Sequence, residues 1–298
     1  NAGWSSAASL IQCNVSYSIV AMGAQDSTVG SGVLIDANPN FVDAGNDNYS
    51  LNTGSPAIDT GDPASEENDP DGSRADMGYR PWAYGGLNTG LVAYYPFNGN
   101  ANDESGNGHH GTPNGTTPTP TTDRNGTSNS AYSFDGIDDY LMVQNHSDLD
   151  FDSTESMTFS VWIQSSNSGR QFILEKEQGT TGYFVEINSV HGEKAQFMTE
   201  NGGNKGDSDY SGSSLSDGQW KHLAGVIDRN SNSQSFYING IKVNTVSIAT
   251  LGSLANSGNL FIGKRNNELN FSGKIDELRI YNRALSGAEV TQLYDVEK

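Results

Sequence analysis

The sequence predicts an all-β protein, a sandwich or barrel of short antiparallel strands closed by a single C-terminal helix. Three observations carry this. Short runs alternate apolar and polar residues, as a strand with one buried face requires. Gly, Asn, Asp and Ser interrupt those runs every ten or so positions, the spacing of turns in an all-β fold. Only the last segment, "SGAEVTQLYDVEK", places its apolar residues at helical spacing.

Taken in order, the strand segments are "AYSFDG", "DYLMVQ", "MTFSVWIQ", "RQFILEKE", "GYFVEIN", "KAQFMTE", "WKHLAGVID", "SFYINGIKV", "LFIGKR" and "KIDELRIY". Asn239-Gly240 inside "INGI" is a strong hairpin signal, because both central residues of a tight turn need positive φ. Phe236, Ile238, Ile241 and Val243 supply apolar residues on the two flanking strands. In the helix, Ser286 and Glu289 form a capping box, and Val290, Leu293 and Tyr294 make an apolar stripe that should cover one edge of a sheet. The stretch Gly111–Asn129, "GTPNGTTPTPTTDRNGTSN", lacks apolar periodicity and reads as a long surface loop. Residues 1–84 differ, with fewer long strands and more Gly and Pro. "YRPWAYGGLNTG", between Tyr79 and Gly90, marks a junction that divides the chain into residues 1–84 and 85–298.

Composition excludes several functions. Asp and Glu number 36 against 16 Lys and Arg, a formal charge of −20. A nucleic-acid binder concentrates cations to displace counterions from phosphates, and this chain does the reverse. It would also be repelled by anionic membrane surfaces. The acids are scattered through polar loops, where they confer solubility or hold divalent cations. Cys13 is the single cysteine, which rules out an intrachain disulfide or a multi-cysteine zinc site and reads as an ordinary small core residue. No apolar run approaches the roughly 20 residues that span a bilayer. The chain starts at Asn1 in structured-looking sequence, so a processed product or a piece of a longer chain is expected. Richness in Asn, Ser, Thr and Gly with little Lys points to an extracellular, secreted or cell-surface protein.

From Gly90 to Lys298 the sequence closely resembles the laminin G-like, or concanavalin A-like, jelly-roll family. "LVAYYPFNGNANDESGNGHHGT", "AYSFDGIDDYLMV", "MTFSVWI", "DGQWKHLAGVID", "FYINGIKV", "NLFIGKRN" and "FSGKIDELRIYNRALSGAEVTQLY" occur in the family's order. The resemblance implies a two-sheet antiparallel jelly-roll sandwich that commonly binds glycans or protein partners and often holds a structural calcium. In residues 1–84, "NPNFVD", "YSLNTGSPAIDTGDP" and "DPDGSRADMG" resemble the terminal coils of a right-handed parallel β-helix. Such coils need stacked neighbours to bury a core.

The densest chemistry lies in "NANDESGNGHHGT", Asn100–Thr112. Zinc is not expected there: His109 and His110 are adjacent and point to opposite faces of an extended chain, and His146, His191 and His222 are isolated. Calcium takes six to eight mixed oxygens on a Gly-rich loop. Asp103 and Asn107 offer side-chain oxygens, and Ser105 or the glycines can turn carbonyls inward. One loop rarely fills the shell, and Asp276, on a strand whose Ile275, Leu278 and Ile280 look partly buried, is the distant acid most in need of a partner. The family resemblance implies the same pairing of first loop and last strand. The alternative is an Asx-type turn with solvated Asp103 and surface Asp276. Asp69, Asp71 and Asp76 lack the full spacing of an EF-hand loop and read as a turn stabilised by Arg74.

For catalysis, Glu175 and Glu177 share one strand face at a spacing roughly compatible with the about 5–5.5 Å between carboxylates of retaining glycosidases. The Glu-x-Asp-x-x-Glu pattern typical of glycosidases on this sandwich fails at Glu177 and Thr180, so the pair reads as solvated acids flanking Lys176. Trp162 and Trp220 are expected in the core. Tyr183, and Tyr210 with Asp207 and Asp209 in the Gly-rich loop Gly202–Gly212, are the candidates for stacking on and hydrogen-bonding a sugar. The expected function is a non-catalytic extracellular module binding glycans, with a structural calcium. Two alternatives stand beside it: a structural subunit assembling with copies of itself or neighbouring surface proteins, and an accessory part of a polysaccharide-degrading enzyme.

Overall fold

A computed structural model of the chain describes residues 87–298 except 190–191 and 266–268, together with short stretches before residue 87. The chain divides into two compact units, Asn1–Thr89 and Gly90–Lys298. In the first, β1 (Ile19–Val20) pairs in parallel with β2 (Leu34–Ile35), and β3 (Phe41–Asp43) pairs antiparallel with β4 (Asn48–Leu51). Cys13 and the acidic stretch Asp69–Asp76 lie outside the described residues.

The second unit is a two-sheet antiparallel sandwich. Its strands are β5 (Leu91–Tyr95), β6 (Gly111–Asn114), β7 (Thr119–Thr121), β8 (Ala131–Asp135), β9 (Tyr140–Val143), β10 (Met157–Gln164), β11 (Gln171–Gln178) and β12 (Thr181–Ile187). They continue as β13 (Ala195–Asn201), β14 (Asn204–Tyr210), β15 (Lys221–Asp228), β16 (Ser233–Ile238), β17 (Ile241–Ser247), β18 (Leu260–Ile262), β19 (Lys264–Arg265), β20 (Leu269–Asn270) and β21 (Ser272–Tyr281), before helix α1 (Gly287–Glu297). One sheet has the order β17-β16-β15-β10-β21-β8-β7, with β5 also paired to β21. The other runs β14-β13-β12-β11-β18-β9-β6, and β19 and β20 form a small antiparallel pair.

Alternation sends one set of side chains from each sheet into the space between them. Phe159 of β10 meets Phe197 of β13 edge-on at 4.9 Å between ring centroids. Gly225, opposite Phe159 on β15, makes room for both rings, since a Cβ there would lie 2.2 Å from Phe159 and 2.6 Å from Phe197. The Asn239-Gly240 turn forms as its sequence requires, with φ of 51° and 74°.

The helix begins with the expected capping box, Ser286 accepting from the Glu289 amide and Glu289 from that of Ser286. It covers more than an edge. Tyr294 stacks on Trp162 of β10, a central strand, at 5.5 Å, and Trp162 Nε1 donates to Glu297 at 2.7 Å. That cover explains why β10 is buried on both faces from Met157 to Ile163.

Strand β21 is bulged. Ser160 faces Arg279 and Trp162 faces Asp276, so Glu277 and Leu278 oppose Val161 alone. Glu277 takes a left-handed φ of 50° to accommodate the extra residue. The bulge lets Ile275 and Leu278, three residues apart, both enter the core.

Two segments differ from expectation. Within Gly111–Asn129, β6 and β7 pair with β9 and β8 as edge strands. Their side chains are mostly exposed, so no apolar periodicity marks them, and Pro113 and Pro120 are tolerated on an edge. Asn204–Tyr210, expected as loop, is strand β14 at the other sheet's edge.

Candidate functional site: the outer face of the seven-stranded sheet

Register fixes what this face displays. Phe197, Val185, Leu174, Ile262 and Leu141 are successive cross-strand partners from β13 to β9, and all are fully buried in the core. The neighbouring row, Asp207–Met198–Phe184–Glu175–Phe261–Met142, therefore points outward. Tyr140, two residues from Met142, shares that face.

Cations from β19 and from Arg170 organise it. Arg265 Nη2 contacts Glu177 at 2.7 Å, and its Nε lies 3.9 Å from Glu175. The same guanidinium sits 4.2 Å from the Phe184 ring centroid and 5.1 Å from that of Phe172. Arg170 bonds Glu186 at 2.7 Å while covering Phe172. Lys264 Nζ lies 3.8 Å from the centre of the Tyr140 ring, which meets Phe261 edge-on at 5.8 Å. Tyr140 and Phe261 are half-buried, whereas Phe172, Phe184 and Glu175 are buried. The face can stack an apolar ring surface against Tyr140 and Phe261 and offer charged groups beside it.

Glu175 and Glu177 do share a face, but they are not the solvated pair expected. Both are held by Arg265, which arrives from a strand far along the chain. Lys176 between them is fully buried on the inner side, donating to Asp150 at 2.6 Å, Asn145 at 2.9 Å and the Asn256 carbonyl at 2.9 Å. Glycosidase chemistry needs one carboxyl free to donate a proton and a second free to attack or activate water. Two carboxylates bound to one guanidinium do not provide that.

Of the expected sugar-contacting residues, Asp207 and Asp209 lie on β14 with outward-facing side chains. Asp207 accepts from Gln196 at 2.6 Å and Asp209 from Asn244 at 2.9 Å. Partial burial of the Asp207 carboxyl, opposed by the Gln196 bond and aided by Asp209 and Glu193, raises its pKa from the ordinary value. Tyr183 is a correction: it is fully buried, because it lies two residues from Val185 on the inner face, and its hydroxyl donates to the Leu149 carbonyl. Tyr210 packs against the core and accepts from the Ser213 amide, so it is not a loop-tip ring. Trp162 is buried as expected; Trp220 is only half-buried.

The four expected calcium ligands do not fit one shell. Asp103 accepts from the amides of Tyr94, Ser105 and His109, each at 2.9 Å. Burial raises its pKa, but the Ser105 hydroxyl and these amides lower it more. Ser105 Oγ and Asn107 Nδ2 both donate to the Val92 carbonyl. Those contacts place the loop along the edge of β5, whereas β21 pairs with β5 through Leu278–Tyr281. Strand β5 thus stands between the loop and β21. Asp276, almost fully buried, faces Arg124 instead. Burial, with Glu277 adjacent and Arg124 opposing, pushes its carboxyl up to about 7. Asp103 forms the Asx-type turn, though buried rather than solvated.

Strand order and the closing of two antiparallel sheets define a jelly-roll β-sandwich. The model of the concanavalin A-like lectin/glucanases superfamily, in its laminin G-like form, matches residues 134–291, more than half the chain, and the chain belongs to this superfamily. Among curated proteins, a botulinum-like toxin, eBoNT/J from an Enterococcus species, is 24% identical over 172 residues, which are 53% of this chain and 13% of the toxin. Among solved structures, the binding domain of Paraclostridial Mosquitocidal Protein 1 is similar with a TM-score of 0.56 at 20% identity, covering 71% of this chain and 53% of that one. Domain 4 of AbnA, an extracellular GH43 arabinanase from Geobacillus stearothermophilus solved with arabinotriose, gives 0.55 at 20% identity over 68% of this chain and 98% of that domain. The binding domain of Botulinum Neurotoxin DC, in complex with SialylT, gives 0.54 at 15% identity over 71% of this chain and 52% of that one. At these identities the structures share the fold. Among the described residues, no helix is long and apolar enough to cross a membrane.

Proposed function

We propose that residues 90–298 are a non-catalytic carbohydrate-binding module acting outside the cell through the outer face of the seven-stranded sheet. The observation that carries this is the Tyr140–Phe261 pair, half-buried beside Lys264 on a face where Glu175 and Glu177 are ion-paired to Arg265. Rings of this kind stack on the apolar face of a sugar, and nearby amide and carboxylate groups hold hydroxyls. The structural neighbours solved with arabinotriose and SialylT support a saccharide as ligand. The first unit, by its resemblance and the parallel β1–β2 pair, would be the end of a β-helix stalk. An accessory role beside a polysaccharide-degrading domain would use the same sheet face. Self-assembly is less favoured: the large apolar residues exposed among the described ones, Ile137 and Ile241, are isolated rather than parts of a patch.

The test is a glycan array including arabinan oligosaccharides and sialylated glycans, followed by calorimetry on the best ligand. Phe261→Ala and Tyr140→Ala should each weaken binding about tenfold, the equivalent of about 1.4 kcal/mol. Binding to no glycan, or equal affinity in both variants, would sink the proposal. Glu175→Gln and Glu177→Gln should reveal no lost activity, and release of reducing sugar by the wild type that either change abolishes would show an enzyme instead.

A further inference from the structure

Sequence spacing hides one cluster that the fold assembles. His109 ends the opening acidic loop, and His146 and Asp148 belong to the turn after β9. In space, His109 Nε2 and His146 Nδ1 each lie 3.3 Å from the same Asp148 oxygen, Oδ2. The two imidazole rings pack 4.5 Å apart, and the three ligand atoms all fall within 4.8 Å of one another. His146 is therefore not isolated, although 37 positions separate it from His109 in the sequence.

Donor type and spacing select the ion. Zinc bound to imidazole and carboxylate at about 2.0–2.2 Å in a tetrahedron requires ligand atoms about 3.3–3.5 Å apart. Two of the three edges here already have that length. Two imidazoles with one carboxylate suit zinc and its neighbours rather than calcium or magnesium, which take oxygen shells.

Both limbs of the cluster are held in place. The His109 amide donates to Asp103 Oδ2 at 2.9 Å, its carbonyl accepts from Tyr95 at 2.6 Å, and its ring is only 6% exposed. His146 caps the short helical turn Ser147–Leu149 and Asp148 lies within it, anchored by fully buried Leu149. The bond from the Asp148 amide to His146 Nδ1 is long, at 3.3 Å, and a metal on that nitrogen would replace it. The side chains of His146 and Asp148 are 52% and 46% exposed, which leaves one side of the cluster open to solvent.

We propose that His109, His146 and Asp148 form a three-ligand site for Zn2+ or a chemically similar divalent transition ion, with a fourth position open to water or to a donor from a bound molecule. Asp103, which fixes the His109 backbone, is a positioning residue for that site.

The experiment is equilibrium dialysis of the full chain against Zn2+, with Co2+ as spectroscopic reporter and excess Ca2+ present. The wild type should take up one ion at this site and show the visible bands of four-coordinate cobalt, with no competition from calcium. His146→Ala and Asp148→Asn alter half-exposed side chains and should fold, as near-UV circular dichroism can verify. Each should weaken uptake about tenfold or more and remove the cobalt bands. No stoichiometric uptake by the wild type, or undiminished affinity in both variants, overturns the proposal; the trio would then be a hydrogen-bonded cluster only.

Discussion

His222 should make the sandwich lose stability in acid. It sits on β15 opposite Trp162, beneath α1, with its Nε2 2.7 Å from Ser160 Oγ and no partner on Nδ1 among the described residues. Trp162 and Tyr294 flank the ring at 5.3 and 5.8 Å. Burial, reinforced by the positive charges of Arg279 and Arg124, pushes its pKa from 6.5 down to about 3. Below pH 6.5 the unfolded chain therefore binds a proton that the folded chain refuses. The stabilisation is complete above that pH and is lost as the pH falls toward 3, at up to about 1.4 kcal/mol per unit. Between pH 7.5 and 4.5 this one group should remove on the order of 2–3 kcal/mol. Asp276 titrates nearby with the opposite sign, so the wild-type profile alone mixes the two. Urea unfolding of wild type and His222→Gln across that range isolates the histidine. Their stabilities should converge as the pH falls, with the variant less sensitive to acid. Parallel profiles, within about 0.5 kcal/mol at every pH, would refute the argument.

Asp276 gives the mirror image. Its folded pKa of about 7 lies above the unfolded 3.8, so its contribution is present at low pH and is lost as the pH rises through 7. Asp276→Asn should gain on the wild type from pH 5 to pH 8 in urea unfolding; an unchanged difference would show that Arg124 keeps the carboxylate ionised throughout. Asp103→Ala leaves three amides without their acceptor and should cost about 3 kcal/mol, measured as a lower urea midpoint. That loss should be the same in EDTA and in millimolar calcium, and a calcium-dependent difference would restore the expected ion. Gly225→Ala forces a methyl into Phe159 and Phe197 and should cost about 1–3 kcal/mol in the same assay; a neutral result would mean that the two rings can move apart.

Most strands could be read from the sequence because each follows a local rule. Alternation in "MTFSVWIQ" and "GYFVEIN", the Asn239-Gly240 turn and the Ser286–Glu289 box all act over a few residues. Where strands lacked apolar residues, as in Gly111–Thr121 and Asn204–Tyr210, backbone pairing at the sheet edges held them and nothing in the sequence signalled it. Tyr183 is buried against expectation because aromaticity says nothing about which face of β12 it occupies. The register with β11 and β13 decides that.

By itself the sequence determined the all-β class, most of the central strands, the helix and the acidic net charge, since these depend on composition and short-range periodicity. Only the tertiary structure decided which side chains meet. Arg265 reaches Glu177 across 88 positions, Arg124 reaches Asp276 across 152, and His109 reaches Asp148 across 39. Such pairings depend on sheet register, the β21 bulge and loop closure, which bring distant residues together without leaving a periodic trace in the chain.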